Sequence, residues 1–157
     1  MELSNYLSEN LILLGIEAKS KTELLEKMVA HIIEKGVVTP DRSDILVEKL
    51  LERETLSSTG IGSAIAIPHA SGEAIKEEMV VVVGQSAEGL DYGAIDDEPV
   101  KLFFMLISSD KSPKAHLQLL AAIVRLCKNR DLIDHLMNAT NSKEAYDYIV
   151  QAGHVHE

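Results

Sequence analysis

His69 follows a proline in the stretch Ile65-Ala66-Ile67-Pro68-His69-Ala70. Imidazole titrates near neutral pH, so it offers a lone pair under ordinary conditions and is a candidate nucleophile. Proline fixes its own φ and biases the residue before it to extended backbone. Ile67-Pro68 is therefore expected to end a strand stiffly and hold His69 at its mouth, where functional side chains gather in α/β folds. Just upstream, Ser57-Ser58-Thr59-Gly60-Ile61-Gly62 supplies hydroxyls, amides and two glycines that let backbone approach a ligand. Such a loop can bind an anion. Phosphoryl transfer to His69 fits, because that chemistry asks mainly for positioning and charge stabilisation. It requires cations and neutral donors around three phosphoryl oxygens.

Two residues elsewhere answer that requirement. Arg53 lies at the end of the helical segment before the loop, and a guanidinium matches phosphate oxygens in pairs. His116 lies in the first turns of a helix opened by Ser112-Pro113, and helix N-termini favour anions. Each also has a plain structural reading: a Pro-His step as architecture, two glycines as a turn, a helix-end arginine in solvent, a capping histidine. His31 and His135 are expected in solvent. The spacing of His154-Val155-His156-Glu157 suits a metal, but it lies at a chain end, where fraying is the rule. No Cys or carboxylate cluster completes a site, so no metal is expected.

The elements that must position these residues alternate along the chain. Leu11–Ile16 reads as a first strand. Ser20-Lys21-Thr22-Glu23 is a capping box opening a helix that buries Leu24, Leu25, Met28, Val29, Ile32 and Ile33 and stops at Gly36. Thr39-Pro40 opens a second helix, running to Arg53 or Glu54. Ala64–Ile67 is a short strand. Met79–Gly84 and Val100–Ile107 are apolar almost throughout, the pattern of central strands covered on both faces. The turns Asp91-Tyr92-Gly93 and Asp96-Asp97 lie between them. A helix over Lys114–Lys128 is apolar on most sides and is expected to be well buried. Two short helices follow, one with Leu132, Ile133, Leu136 and Met137, the other from Asn141 or Ser142 to Gly153. The alternation predicts an α/β fold, a mixed β-sheet flanked by helices, in a single compact domain over residues 1–157.

Composition narrows the function further. The net charge of −10 argues against nucleic acid and anionic lipid and for a partner with a basic rim. The one cysteine, Cys127, makes no internal disulfide and is expected as a small buried apolar residue. With no signal-like start and no apolar run long enough to span a bilayer, the expected setting is cytoplasmic, without membrane insertion.

The stretch Arg53–Ala70, "RETLSSTGIGSAIAIPHA", resembles the signature of enzyme IIA domains of the fructose/mannitol class. These belong to the bacterial phosphoenolpyruvate-dependent sugar phosphotransferase system. The resemblance continues through "KSKTELLEKMVAHIIEKG", "LDYGAIDDEPVKLFFMLIS" and "HLQLLAAIVRLCKNRDLIDHLMNATNSKEAYDYI". It implies that His69 is the phospho-acceptor, loaded on Nε2 by the carrier HPr or its nitrogen-branch paralogue. It implies that His116 donates to the phosphoryl group, that Arg53 stands beside the site, and that Ser58 and Thr59 contact phosphate. It implies no metal or organic cofactor. Downstream it implies either regulatory target proteins, in a nitrogen-regulatory branch that the chain's length favours, or an enzyme IIB in sugar uptake. Many relatives have a polar residue and then glycine where this chain has Ser63-Ala64. Ala64 is tolerable there at negative φ, whereas a positive φ is expected to shift the loop and His69 with it. Outside phosphotransfer stand a binding module that does not need the His69 chemistry and a metal-assisted hydrolase built on His69 and His116. The lack of a nearby carboxylate motif argues against the hydrolase.

Overall fold

A computed structural model describes residues 3–72 and 79–155, with side chains to residue 153. His156 and Glu157, and the side chain of His154, lie outside the described residues, so the tail metal motif does too. Helix α1 spans Lys21–Glu34; Ser20 Oγ accepts the Glu23 amide at 3.1 Å, and Leu24, Leu25, Met28, Val29 and Ile32 are buried. Gly36, at φ +76°, turns the chain out of the helix. Thr39-Pro40 opens only a 3₁₀ turn, Pro40–Arg42, because Thr39 makes no side-chain cap bond and the Arg42 amide closes on the Thr39 carbonyl. Helix α2 then runs from Ser43 to Leu56, slightly past the expected end.

The sheet has strands β1 (Ile12–Leu13), β2 (Gly60–Gly62), β3 (Ile65–Ala66), β4 (His69–Ser71), β5 (Met79–Leu90) and β6 (Val100–Ser108). Their order is β1-β5-β6-β3-β2, with β4 also on β6. β1 is shorter than Leu11–Ile16, since Leu11 closes a 3₁₀ turn and Gly15 takes φ +69°. β5 and β6 pair antiparallel, and every residue from Met79 to Ser86 and from Leu102 to Ser108 is buried. Consecutive strand residues face opposite sides, so both faces are covered. Helices α1 and α2 pack on each other and on β5 and β4. The others, α3 (Pro113–Cys127), α4 (Arg130–Asn138) and α5 (Ser142–Val155), pack on β6, β5 and β1. The fold is mixed α/β, a mixed sheet flanked by helices. No helix among the described residues is long and apolar enough to cross a membrane.

Strand β3 ends at Ala66, just before Ile67-Pro68 as expected, but pairing on β6 resumes at His69. Ile65 pairs with Leu102, Ala66 with Phe103 and His69 with Leu106, all parallel and with the same offset on either side of the Ile67-Pro68 break. Proline removes one N–H from the ladder but its φ suits extended backbone, and the Pro68 carbonyl still accepts the Leu106 amide at 2.9 Å. His69 therefore opens a second short strand that runs to Ser71. Helix α3 is also less buried than expected: Leu119, Ile123, Leu126 and Cys127 face inward, while Leu117 is 66% exposed. Cys127 is buried as expected, which pushes its thiol pKa up to about 12.

Ala64 adopts positive φ after all. Ser63 and Ala64, at φ +56° and +67°, form the two-residue turn between β2 and β3. Both values belong to the left-handed region that such hairpin turns require. The turn holds its place because the Ala64 carbonyl accepts the Lys101 and Leu102 amides, at 2.8 and 3.0 Å, and Asp96 Oδ2 accepts the Ser63 amide at 3.1 Å. With both residues at positive φ, β3 and β4 keep a common offset on β6. A Cβ costs about 1–2 kcal/mol in left-handed backbone, so Ala64→Gly should stabilise the protein by roughly 1 kcal/mol and raise Tm by about 2–4 °C. Thermal unfolding with unchanged Tm would remove strain from this account.

Below that turn lies a buried carboxylate. Leu46, Leu50 and Glu54 recur every fourth residue on the inward face of α2, and all three are buried. Glu54 Oε1 accepts the Thr59 amide at 3.0 Å and Lys21 Nζ at 3.2 Å, while the Thr59 hydroxyl donates to Oε2. Lys21 lies 4.4 Å from the centre of the buried Tyr92 ring. These bonds fasten the end of α2 to the glycine loop and to α1. Glu54→Ala would leave the Thr59 donors unpaired, at about 1–3 kcal/mol for such a buried group. Urea unfolding should show a loss of about 2 kcal/mol, and an unchanged midpoint would contradict this fastening role.

Candidate functional site around His69

The His69 ring is fixed at both nitrogens. Nδ1 lies 2.8 Å from the Ile67 carbonyl oxygen. A carbonyl only accepts, so Nδ1 carries the proton and the neutral ring keeps its lone pair on Nε2. Arg53 meets that lone pair: its Nε donates to His69 Nε2 at 3.2 Å. Nη1 of the same guanidinium donates to the Ser57 carbonyl at 2.9 Å, which folds the side chain back over the C-terminal end of α2. His69 is half-buried, and its pKa is lowered, first by desolvation and then by the nearby Arg53 charge. The Ile67 bond and Glu54 oppose the shift without reversing it. Arg53 and a doubly protonated ring would set N–H against N–H, so this geometry holds the neutral, nucleophilic form.

His116 completes the cluster, at 5.7 Å between ring centres and a tilt of 58°. It occupies the fourth position of α3, and its amide bonds the Ser112 carbonyl at 3.0 Å. Its pKa is lowered by burial and secondarily by His69. Ser108 Oγ, at the buried end of β6, lies 2.6 Å from His116 Nδ1. Three expected residues, Arg53, His69 and His116, thus meet in one place although His116 lies far along the chain from the other two.

Ser58 and Thr59 border the site but engage their hydroxyls within the protein. Ser58 Oγ donates to the Tyr92 carbonyl at 3.3 Å and accepts the Gly60 amide at 3.0 Å. Thr59 is buried on Glu54. The Gly60 backbone approaches the protein and not a ligand: a Cβ there would meet Ala94 Cβ at 2.7 Å. His31 Nε2 bonds the Asn10 carbonyl oxygen at 2.7 Å, and His135 stacks on Tyr148 at 4.0 Å, both away from this cluster. Among the described residues no group of three or more His, Cys, Asp or Glu is placed to hold a metal ion.

Sequence reasoning missed Ser108, Glu54, Lys21 and the Ile67 carbonyl. Glu54 was legible as a carboxylate on the Leu46-Leu50 face. Ser108 was legible as the polar residue closing an apolar strand. Backbone carbonyls carry no sequence signal. Large apolar side chains are exposed: Leu56 (81%) on the last turn of α2, three residues after Arg53, Leu117 (66%), next to His116 in the chain, and Ile95 (78%), whose amide bonds the Gly60 carbonyl.

Comparison with known proteins gives one answer over nearly the whole chain. Residues 5–152 match the family model "Phosphoenolpyruvate-dependent sugar phosphotransferase system, EIIA 2". The fructose-specific EIIA component of Haloferax volcanii is 32% identical, over 96% of each chain. The nitrogen regulatory protein of Klebsiella oxytoca is 31% identical, over 98% of this chain and 93% of its own. The chain spans only 23% of the length of the fructose-specific EIIABC component of Bacillus subtilis, also 32% identical. The nitrogen regulatory protein IIA-Ntr of Neisseria meningitidis superposes with a TM-score of 0.82, over 93% of this chain and 97% of its own, at 24% identity, a likeness of fold. The chain belongs to the EIIA type 2 family of the phosphoenolpyruvate-dependent sugar phosphotransferase system.

Proposed function

We propose that this protein is a phosphohistidine relay whose acceptor is His69 Nε2. The observation that carries the reading is the unprotonated His69 Nε2, held by Arg53, with the imidazole of His116 5.7 Å away between ring centres. In the transfer, the Nε2 lone pair attacks the phosphorus of a phosphohistidine on an HPr-type carrier. The new N–P bond forms as the carrier's P–N bond breaks, and that electron pair returns to the carrier's ring. The proton stays on His69 Nδ1, donated to the Ile67 carbonyl. Arg53 moves its N–H from the ring to a phosphoryl oxygen, and His116 and the N-terminus of α3 face the incoming negative charge. Ser58 and Thr59 serve by holding the loop beside the phosphoryl group. The step uses no metal or organic cofactor, and the setting is the cytoplasm.

The exposed side chains of Leu56, Ile95 and Leu117, on the segments that carry or adjoin Arg53, the glycine loop and His116, supply docking contacts for donor and acceptor proteins. For the downstream role we favour nitrogen regulation, in which loading of His69 changes binding to target proteins. The second reading, delivery to a sugar-specific enzyme IIB, is supported by the Haloferax relative of matching length. Transfer from the loaded protein to a fructose- or mannitol-type enzyme IIB, measured directly, separates the two.

Intact-mass spectrometry under alkaline handling, after incubation with phosphoenolpyruvate, enzyme I and an HPr-type carrier, tests the relay. One acid-labile phosphoryl group should appear, and none in His69→Ala. A gain retained in the variant overturns the assignment. Arg53→Lys should load on the order of 10²-fold more slowly, since the ammonium lacks the planar fork. Because the His69 pKa lies below its usual value near 6.5, loading should be flat from about neutrality upward and should fall in acid as Nε2 gains a proton. A rate still rising steeply above pH 7.5 would contradict the assigned direction. Leu117→Asp should raise the KM for the carrier with kcat nearly unchanged.

A further inference from the structure

We propose that Ser108 is a positioning residue that holds His116 as the Nε2–H tautomer, so that His116 presents a donor and not a lone pair to the phosphoryl group. The inference rests on the relay reading for its purpose, but its geometry stands on the sheet. Ser108 is the last residue of β6 and is fully buried. Its backbone is held from both sides, by pairing with Ser71 in β4 and with Met79 in β5, and its carbonyl accepts the Gly72 amide at 2.8 Å. Its hydroxyl is therefore a fixed point under a helix that carries His116, at 2.6 Å from Nδ1.

A neutral imidazole has one N–H, on either nitrogen. A phosphoryl group carries up to two negative charges, so a ring with Nε2 bare would repel it and a ring with Nε2–H would bind it. A buried hydroxyl needs an acceptor for its proton, and His116 Nδ1 lies in reach. When Ser108 donates to Nδ1, the N–H of the ring must be on Nε2. His69 and His116 thus take opposite tautomers by the same device, a protein group on Nδ1. A carbonyl leaves His69 with a lone pair on Nε2, and a hydroxyl leaves His116 with a proton there. A strand-end alanine would leave the choice of tautomer open.

The test pairs Ser108→Ala with Ser108→Thr, each checked for native folding by backbone amide spectra. Ring ¹⁵N shifts from long-range ¹H–¹⁵N spectra at pH 7.5 should show the Nε2–H form for His116 in wild type and in Ser108→Thr. Ser108→Ala should show a mixture. Loading by the phosphorylated HPr-type carrier should lose about tenfold in kcat in Ser108→Ala, the scale of one hydrogen bond, with KM unchanged and recovery in Ser108→Thr. A wild-type His116 in the Nδ1–H form overturns the proposal, as does an unchanged tautomer and rate in Ser108→Ala. If wild type takes no phosphoryl group while the His116 shifts still follow Ser108, the relay reading fails and the positioning role stands.

Discussion

An imidazole is a nucleophile only at the nitrogen whose lone pair is left bare. Here a single bond decides which one that is: His69 Nδ1–H donates to the Ile67 carbonyl at 2.8 Å. That bond reaches across Pro68, from the link that follows β3 to the first residue of β4. It is set by a backbone that Pro68 stiffens and that the parallel ladder on β6 keeps in register. Arg53 then approaches the exposed nitrogen, and the lowered pKa of His69 follows from the burial and charge of the same arrangement.

Other contacts extend the same constraint outward. The Ile67 amide donates to the Thr59 carbonyl at 3.0 Å, while the Thr59 amide and hydroxyl donate to Glu54. Glu54 in turn holds Lys21 of α1. A continuous path of hydrogen bonds therefore leads from α1, through the end of α2, to the carbonyl that orients His69. Arg53 is the neighbour of Glu54 on α2, so the residue that faces phosphate and the residue that anchors the loop are adjacent. Successive helix residues point in different directions, so Arg53 reaches His69 while Glu54 is buried in the core.

The parts of this arrangement differed in how openly the sequence carried them. Capping at Ser20 and the apolar runs of β5 and β6 were plain because periodicity and local hydrogen bonding dictate them. Arg53, His69 and His116 were nameable from residue type and place, and the long Arg53–Ala70 stretch pointed to the family. The resumption of pairing at His69 was hidden, since proline marks a lost donor but not whether a neighbouring strand pairs again beyond it. The exposed face of α3 was hidden because an apolar helix reads alike whether it meets the core or a partner protein. Ser63-Ala64 was hidden because only the hairpin geometry demands positive φ there. The Thr59 hydroxyl read as a ligand for phosphate, but Glu54, spaced with Leu46 and Leu50, draws it into the core.

The most direct measurement is the position of the phosphate on the ring. Ring ¹⁵N spectra of the loaded protein, with ³¹P coupling, identify the bonded nitrogen of His69. The account predicts phosphate on Nε2 with the proton kept on Nδ1 against the Ile67 carbonyl. Phosphate on Nδ1 would mean that this bond does not choose the nucleophile, and the organisation described around it would have to be abandoned.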